Sequence, residues 1–164
     1  MLSQTADWGR QEAMSKNSSG RRKNKRHGMT TLASAHETRR KDGALVRYGL
    51  GVGTHIQKGG LTAVTVTGLA QPASDSAGQI FIGVAYEEGG GIGGSAAKSV
   101  RVLKTGVFTY AKAGASLSDI GRTAFVVDDG TVSTSATTNS IACGVVVGAP
   151  DALSVQVRID GKVN

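Results

Sequence analysis

The fold of this chain is decided by an apolar stretch near its C-terminus, Ile141-Ala142-Cys143-Gly144-Val145-Val146-Val147. Valine and isoleucine are enriched in β-strands, and a run that is apolar on both faces is typical of a strand in the middle of a sandwich or barrel, or at a subunit contact. An earlier stretch has the same character, Ile80-Phe81-Ile82-Gly83-Val84-Ala85. Together they predict buried strands of a β domain.

The two stretches belong to a weak internal repeat. Each is followed, after a loop, by an alternating strand, Ser99-Val100-Arg101-Val102 in the first case and Ser154-Val155-Gln156-Val157 in the second. A glycine, Gly83 or Gly144, interrupts each stretch, and a glycine in such a position commonly marks a bulge or bend. The repeat predicts two hairpins built on one plan and a sheet that curls on itself.

Short runs rich in Val, Ile and Thr, separated by Gly, Asp, Asn and Ser, continue on both sides of these stretches. They predict strands at Tyr48–Ile56, Leu61–Thr67, Gln79–Glu87, Ser99–Tyr110, Thr123–Val127, Thr131–Thr134, Ile141–Val147 and Leu153–Ile159. We therefore expect an all-β fold, a small curved sandwich or partly closed barrel of about eight short strands, behind an extended N-terminal arm.

Turn chemistry accounts for the acidic residues of this region. Asp128-Asp129-Gly130 predicts the tight turn of a hairpin, because Asp and Gly tolerate positive φ. The segment from Ser116 to Gly121, which contains Asp119, predicts a helical turn with Ser as its cap and Gly as its stop. We prefer these roles to a metal or acid–base cluster of Asp119, Asp128 and Asp129.

Charge divides the chain at Arg47. Residues 1–47 contain 11 Lys and Arg against 4 Asp and Glu, a net +7, whereas residues 48–164 contain 8 of each and are neutral. A block of like charges among Ser, Asn and Gly repels itself and stays solvated. We predict two parts, a basic, extended or disordered N-terminal arm at residues 1–47 and a β-rich domain at residues 48–164.

The basic residues of the arm form two clusters. Such clusters attract any polyanion, through counterion release on nucleic acid or through screened Coulomb attraction to an acidic protein surface. The charge alone leaves both targets open. The residues concerned are Arg21, Arg22, Lys23, Lys25, Arg26, Arg39, Arg40 and Lys41.

Residue patterns that could indicate catalysis or cofactor binding lack the neighbouring structure that such sites need. Gly89, Gly91 and Gly94 match G-x-G-x-x-G, yet a phosphate site of that type needs a following helix, and Ser95 to Val102 predicts a strand instead. Histidines at 27 and 36 lie in the arm, and His55 ends a predicted strand. We expect no enzyme and no catalytic, cofactor or metal residue.

The single cysteine, Cys143, excludes an intramolecular disulfide. Its apolar neighbours favour a small buried hydrophobic role over that of a nucleophile. No segment approaches the roughly 18 consecutive apolar residues of a membrane span, and the N-terminus lacks the apolar stretch of a signal peptide. We expect no membrane partner and assembly in a reducing cytoplasm.

The body resembles the small decoration (cement) proteins of tailed-phage capsids, in particular short members rich in glycine and alanine. The resemblance covers about residues 43–164 and lies in the order of Gly83-Val84-Ala85, Ser99-Val100-Arg101-Val102, Thr105-Gly106-Val107-Phe108, Gly114 to Gly121, Phe125-Val126-Val127-Asp128, Gly144-Val145 and Val155-Gln156-Val157-Arg158-Ile159. The long basic arm before Met29 departs from the compact members of that family.

This resemblance implies a structural virion protein that binds the outer surface of a phage capsid at symmetry axes, commonly as a homotrimer, and fastens neighbouring capsomers together. Its partners would then be the major capsid protein and its own copies. Its location would be the capsid surface. The basic residues of the arm would bind acidic capsid surface while the body forms the oligomer contacts.

Other functions stay open at this point. A nucleic-acid-binding packaging protein would use the same arm to grip DNA, although the neutral, aromatic-poor body predicts no stacking platform or basic groove. Another β-rich virion component, such as a head fibre base or a tail subunit, fits the same composition. So does a carbohydrate-binding module, although lectins usually expose Trp or Tyr and the single Trp, Trp8, lies in the arm.

Overall fold

The computed structural model describes residues 43–90 and 99–161. The described strands are β1 (Leu45–Gly49), β2 (Leu61–Val64), β3 (Ala70–Pro72), β4 (Ile80–Ala85), β5 (Ser99–Leu103), β6 (Gly106–Ala111), β7 (Thr123–Val126), β8 (Val132–Ser133), β9 (Ala142–Asp151) and β10 (Ser154–Ile159), with a 3₁₀ turn at Leu117–Asp119. The predicted all-β fold is confirmed, as is the helical turn. Within these residues, no helix has the length and apolar character needed to cross a bilayer.

The strands form two five-stranded antiparallel sheets with the same topology. One sheet has the order β1-β5-β4-β2-β3 and the other the order β6-β10-β9-β7-β8, so the second half of the chain repeats the strand order of the first. We call residues 45–103 repeat 1 and residues 106–159 repeat 2. The fold is a tandem duplication of one five-stranded unit.

Pairing registers match between the repeats residue by residue. Tyr48 lies opposite Val100 in repeat 1, and Tyr110 lies opposite Val155 in repeat 2. Both β2 and β7 carry a register shift directly after the residue that pairs with the central glycine of β4 or β9. The predicted plan of two equivalent hairpins is therefore confirmed, and it extends to all five strands of each repeat.

A single parallel bridge brings the two edges of each sheet together, Leu50 with Ala70 in repeat 1 and Ala111 with Thr131 in repeat 2. Each sheet consequently curls around its own interior, as the glycines predict, without a full edge-to-edge ladder. The interior of repeat 1 consists of Ile56, Ala70, Ile82, Ala85, Val100 and Val102, all buried. This is the inward face that the alternating strands require.

The core of repeat 2 extends into repeat 1. Its own interior includes Tyr110, Val126, Val132, Cys143, Val146, Val155 and Val157, and the same cluster contains Leu61, Ala63, Ala73 and Val84 from repeat 1. Burying a side chain of this size stabilises a fold by about 1.5–3 kcal/mol. One face of repeat 1 thus packs into the core of repeat 2, while the interior of repeat 1 is a separate cluster.

Some strand boundaries differ from the prediction. The segment predicted as one strand, Ser99–Tyr110, is two strands, because the chain bends at Lys104 and Thr105 between the end of β5 at Leu103 and the start of β6 at Gly106. The first strand begins at Leu45 and ends at Gly49, so the segment up to Ile56 is a loop. Strand β3 was not predicted, since it is short and ends in Pro72, a residue found mainly on edge strands.

Candidate functional site

The basic residues predicted to bind a capsid all precede Gly43 and lie outside the described residues. They are Arg21, Arg22, Lys23, Lys25, Arg26, Arg39, Arg40 and Lys41. Gly91 and Gly94 of the G-x-G-x-x-G pattern also lie outside the described residues. Gly89 pairs through its backbone with Ile56, with N···O distances of 2.7 and 2.9 Å, so its place is structural.

The charged residues near this glycine pair with one another. Arg101 Nε donates to Glu87 Oε1 at 2.9 Å, and the guanidinium lies 4.8 Å from the centroid of the Tyr86 ring. The hydrogen bond from Arg101 holds the pKa of Glu87 below its usual value. His55 Nε2 lies 2.7 Å from Glu88 Oε1. These contacts fasten the end of β4 to β5 and to the loop before β2.

Asp119 anchors the 3₁₀ turn. Its carboxylate accepts hydrogen bonds from Lys112 Nζ at 3.0 Å, from Ser116 N at 3.0 Å and from Thr134 Oγ1 at 2.9 Å. The hydrogen bond from Lys112 is the main cause that lowers the pKa of Asp119, followed by the Ser116 amide. The predicted role in a capped turn is confirmed.

The predicted turn at Asp128-Asp129-Gly130 joins β7 to β8, with Asp128 Oδ1 accepting a hydrogen bond from Gly130 N at 2.8 Å. The carboxylates of Asp119 and Asp128 thus have structural partners. Across residues 43–90 and 99–161, no group of three or more His, Cys, Asp or Glu side chains is placed to hold a metal ion.

Cys143 is a core residue, as predicted. It is 4% exposed, and its thiol donates to the Ala124 carbonyl oxygen at 3.3 Å. Burial raises the pKa of the thiol to about 12. A protonated, enclosed thiol of this kind is a poor nucleophile. Burial also raises the pKa of Tyr110. The hydroxyl of this residue donates a hydrogen bond to the Gly59 carbonyl oxygen at 3.1 Å.

Surfaces, rather than reactive groups, are therefore the candidate functional features of the described body. A groove of about 830 Å³ lies between the two repeats, and Tyr48, Ile80, Phe81 and Val145 are among its lining residues. A hairpin in repeat 1 exposes Val66 (89%) and Leu69 (41%). Apolar surface that solvent reaches is suited to contact with another protein.

The open face of repeat 2 is the feature that sequence reasoning missed. Thr123 on β7 is exposed, and Phe125 on β7 and Val145 on β9 are half-buried. Their counterparts in repeat 1 are Leu61, Ala63 and Val84, which are fully buried. The internal repeat was the signal that could have found this face, but the burial difference depends on how the two repeats pack.

No family model, no curated protein and no solved structure matches this chain.

Proposed function

We propose that the protein is a structural virion component that binds the outer surface of a phage capsid and stabilises contacts between capsomers. In this role the β body is the rigid part and the basic arm is the element that reaches an acidic surface. The arm residues are Arg21, Arg22, Lys23, Lys25, Arg26, Arg39, Arg40 and Lys41.

The observation that carries the proposal is the segregation of charge. The whole excess of +7 lies in residues 1–47, and residues 48–164 are neutral. A cationic segment attached to a neutral body can attract an anionic surface over about 10 Å at 0.1 M salt without repelling neighbouring copies of the body. That arrangement suits a protein that must crowd many copies onto one shell.

The polar groups of the body support the proposal, because they form hydrogen bonds within the fold. Asp119, Glu87 and Cys143 are engaged in packing and hydrogen bonds within the fold. Half of the buried residues in the core cluster of repeat 2 are Val or Ile, whose β-branched side chains have restricted rotamers. A stiff body of this kind resists shear between capsomers.

A DNA-packaging role is the competing proposal, and the arm alone is compatible with it. A single-strand binder usually offers exposed aromatic side chains on which bases stack. Tyr110 is buried, and the ring of Tyr86 has the Arg101 guanidinium over it. The body therefore favours a protein surface as the target of the arm.

The decisive experiment measures occupancy of heads assembled from the major capsid protein encoded with this chain. We expect deletion of residues 1–28 to reduce occupancy at low salt and to remove most of its salt dependence, because counterions screen the arm's attraction. The matched control replaces Arg21, Arg22, Lys23, Lys25 and Arg26 with Gln in the full-length arm.

Unchanged occupancy of the deletion variant at both a low and a high salt concentration would contradict the role of the arm. Retention of random duplex DNA at physiological salt, combined with no binding to the heads, would establish the packaging alternative instead. The two assays use the same purified chain, so a folding failure would be visible in both.

A further inference from the structure

The two repeats have the same topology but differ in what covers one face. We define the outer face of repeat 1 as Leu61, Ala63 and Val84, which are 0%, 0% and 1% exposed. These residues belong to the core cluster of repeat 2 rather than to the interior of their own repeat. Repeat 2 is thus the partner that buries this face.

The contact is made by a hairpin of repeat 2, residues 127–131, which we call hairpin 2. Leu61 N donates to the Asp129 carbonyl oxygen at 2.8 Å, and Asp75 N donates to the Val127 carbonyl oxygen at 3.2 Å. Next to the hairpin, the Tyr110 hydroxyl bonds the Gly59 carbonyl at 3.1 Å. The Asp75 carboxylate also accepts hydrogen bonds from Thr138 N at 2.8 Å and Asn139 N at 2.7 Å, so the docking uses both backbone groups and side chains.

Repeat 2 has an equivalent outer face, Thr123, Phe125 and Val145, at the same register positions. The described residues cover it only in part, since Thr123 is exposed and Phe125 and Val145 are half-buried. The groove of about 830 Å³ opens at this face, with Thr123 and Val145 in its lining.

Repeat 1 has the equivalent of hairpin 2 as well. Residues 65–69, which we call hairpin 1, close with a Thr65 N to Leu69 O bond of 3.2 Å, matching the Val127 N to Thr131 O bond of 3.1 Å. Hairpin 1 exposes Val66 and Leu69, whereas in hairpin 2 the counterpart of Leu69, Thr131, is half-buried. Among the described residues no bond joins hairpin 1 to Thr123.

Among residues 43–90 and 99–161, hairpin 1 therefore has no docked face and the outer face of repeat 2 has no docked hairpin. We propose that these two surfaces bind each other between copies, with hairpin 1 of one copy on the outer face of repeat 2 of the next. The contact repeats the one seen inside the chain, and none of Val66, Leu69, Thr123, Phe125 and Val145 is charged.

Such a contact is heterologous, joining two different patches, and it generates a ring if the rotation closes and a filament if it does not. The self-association follows from the duplicated fold alone and does not depend on capsid binding. If the protein has the proposed function, this contact is the surface through which copies of the body bind one another.

The test is the molar mass of the purified full-length chain, measured by light scattering after size-exclusion chromatography. We expect the wild type at a multiple of the 16.7 kDa chain mass. Thr67→Arg in hairpin 1 and, separately, Thr123→Arg on the outer face of repeat 2 should each give monomers, because each places a long charged side chain in the contact; Thr67 is the counterpart of Asp129, whose carbonyl oxygen accepts from Leu61 N inside the chain. Both positions are exposed, so thermal unfolding should stay close to the wild type.

The matched control is Leu153→Asp. Leu153 is 71% exposed at the β9–β10 tip, roughly 20 Å along β9 from Val145 at about 3.3 Å per residue. It should keep the wild-type mass. An equal mixture of the Thr67→Arg and Thr123→Arg variants should form a dimer and stop there, because only one productive contact remains.

A monomeric wild type, or an assembly that survives both substitutions, would overturn the head-to-tail contact. So would a mixture of the two variants that stays monomeric. Capsid occupancy is measured separately, so failure of the capsid proposal leaves this result unaffected, and the reverse also holds.

Discussion

Gly83 and Gly144 occupy equivalent positions in the two repeats, and a Cβ on either would collide with a backbone carbonyl of the adjacent strand, that of Leu103 or that of Arg158. Both lie opposite the residue after which β2 or β7 shifts register. Glycine at these two places lets β4 lie close against β5, and β9 close against β10, where each sheet bends. The same backbone requirement therefore occurs twice in one chain.

We expect Gly144→Ala to lower the free energy of unfolding by about 2 kcal/mol or more, because the added methyl group forces the β9 and β10 backbones apart. Gly83→Ala should cost at least as much, since Gly83 also has a φ of 138°. Urea denaturation measures both. The control is Gly130→Ala, whose Cβ would meet nothing closer than 3.8 Å; an equal loss there would contradict the explanation.

Leu61→Ala should lower the free energy of unfolding by about 3 kcal/mol, because it removes a fully buried side chain between the repeats. Thr123→Ala, at the equivalent position of repeat 2, should change it by about 0.5 kcal/mol or less at protein concentrations where the chain is monomeric. Equal effects of the two substitutions would show that the repeats do not pack as described.

Asp119 makes stability depend on pH in a defined direction. The pKa of this carboxyl is lowered from 3.8, chiefly by the hydrogen bond from Lys112, so its contribution is complete above that value and is lost as the pH falls through the lowered pKa. We expect Asp119→Asn to reduce stability strongly at pH 7 and the difference from the wild type to shrink in acid.

The control for this measurement is Asp128→Asn, which keeps an oxygen acceptor for the Gly130 amide at an exposed turn. It should leave the stability at pH 7 nearly unchanged. A wild-type to Asp119→Asn difference that stays constant between pH 7 and pH 2 would argue against the ionised network as its source.

Cys143 should resist alkylation in the folded chain. With burial raising the pKa of the thiol to about 12, little thiolate forms at pH 8, and the surrounding strands block access. We expect iodoacetamide to modify the native protein at least roughly 100-fold more slowly than the protein in guanidinium. Mass spectrometry at timed intervals follows the reaction, and comparable rates in both states would show that the thiol is accessible.

Local patterns in the sequence predicted a large part of the fold. Alternating Val and Thr residues, the Asp128-Asp129-Gly130 turn and the two interrupted strands gave the all-β class, most strand positions and the internal hairpin repeat. Strand β3 escaped prediction because a three-residue edge strand has too few residues for a period-two pattern to show. The split between β5 and β6 escaped it because only Lys104, Thr105 and Gly106 separate the two apolar runs, too few to stand out as a break.

The candidate surfaces were less predictable. In sequence, Leu61-Thr62-Ala63 and Thr123-Ala124-Phe125 are both short β segments. Phe125 is more hydrophobic than its counterpart Ala63, so residue type alone predicts that Phe125 is the more buried of the two. In the structure Ala63 is fully buried and Phe125 is not. The predicted site residues of the arm lie outside the described residues.

What the sequence by itself determined is the β class, the paired glycines and the concentration of the positive charge in residues 1–47, because each follows from residue type and short-range spacing. What only the tertiary structure decided is which of two equivalent faces is covered. Repeat 2 docks its hairpin on Leu61 and Val84 and leaves Thr123 and Val145 open. That choice depends on how two similar sheets pack, and no local pattern encodes it.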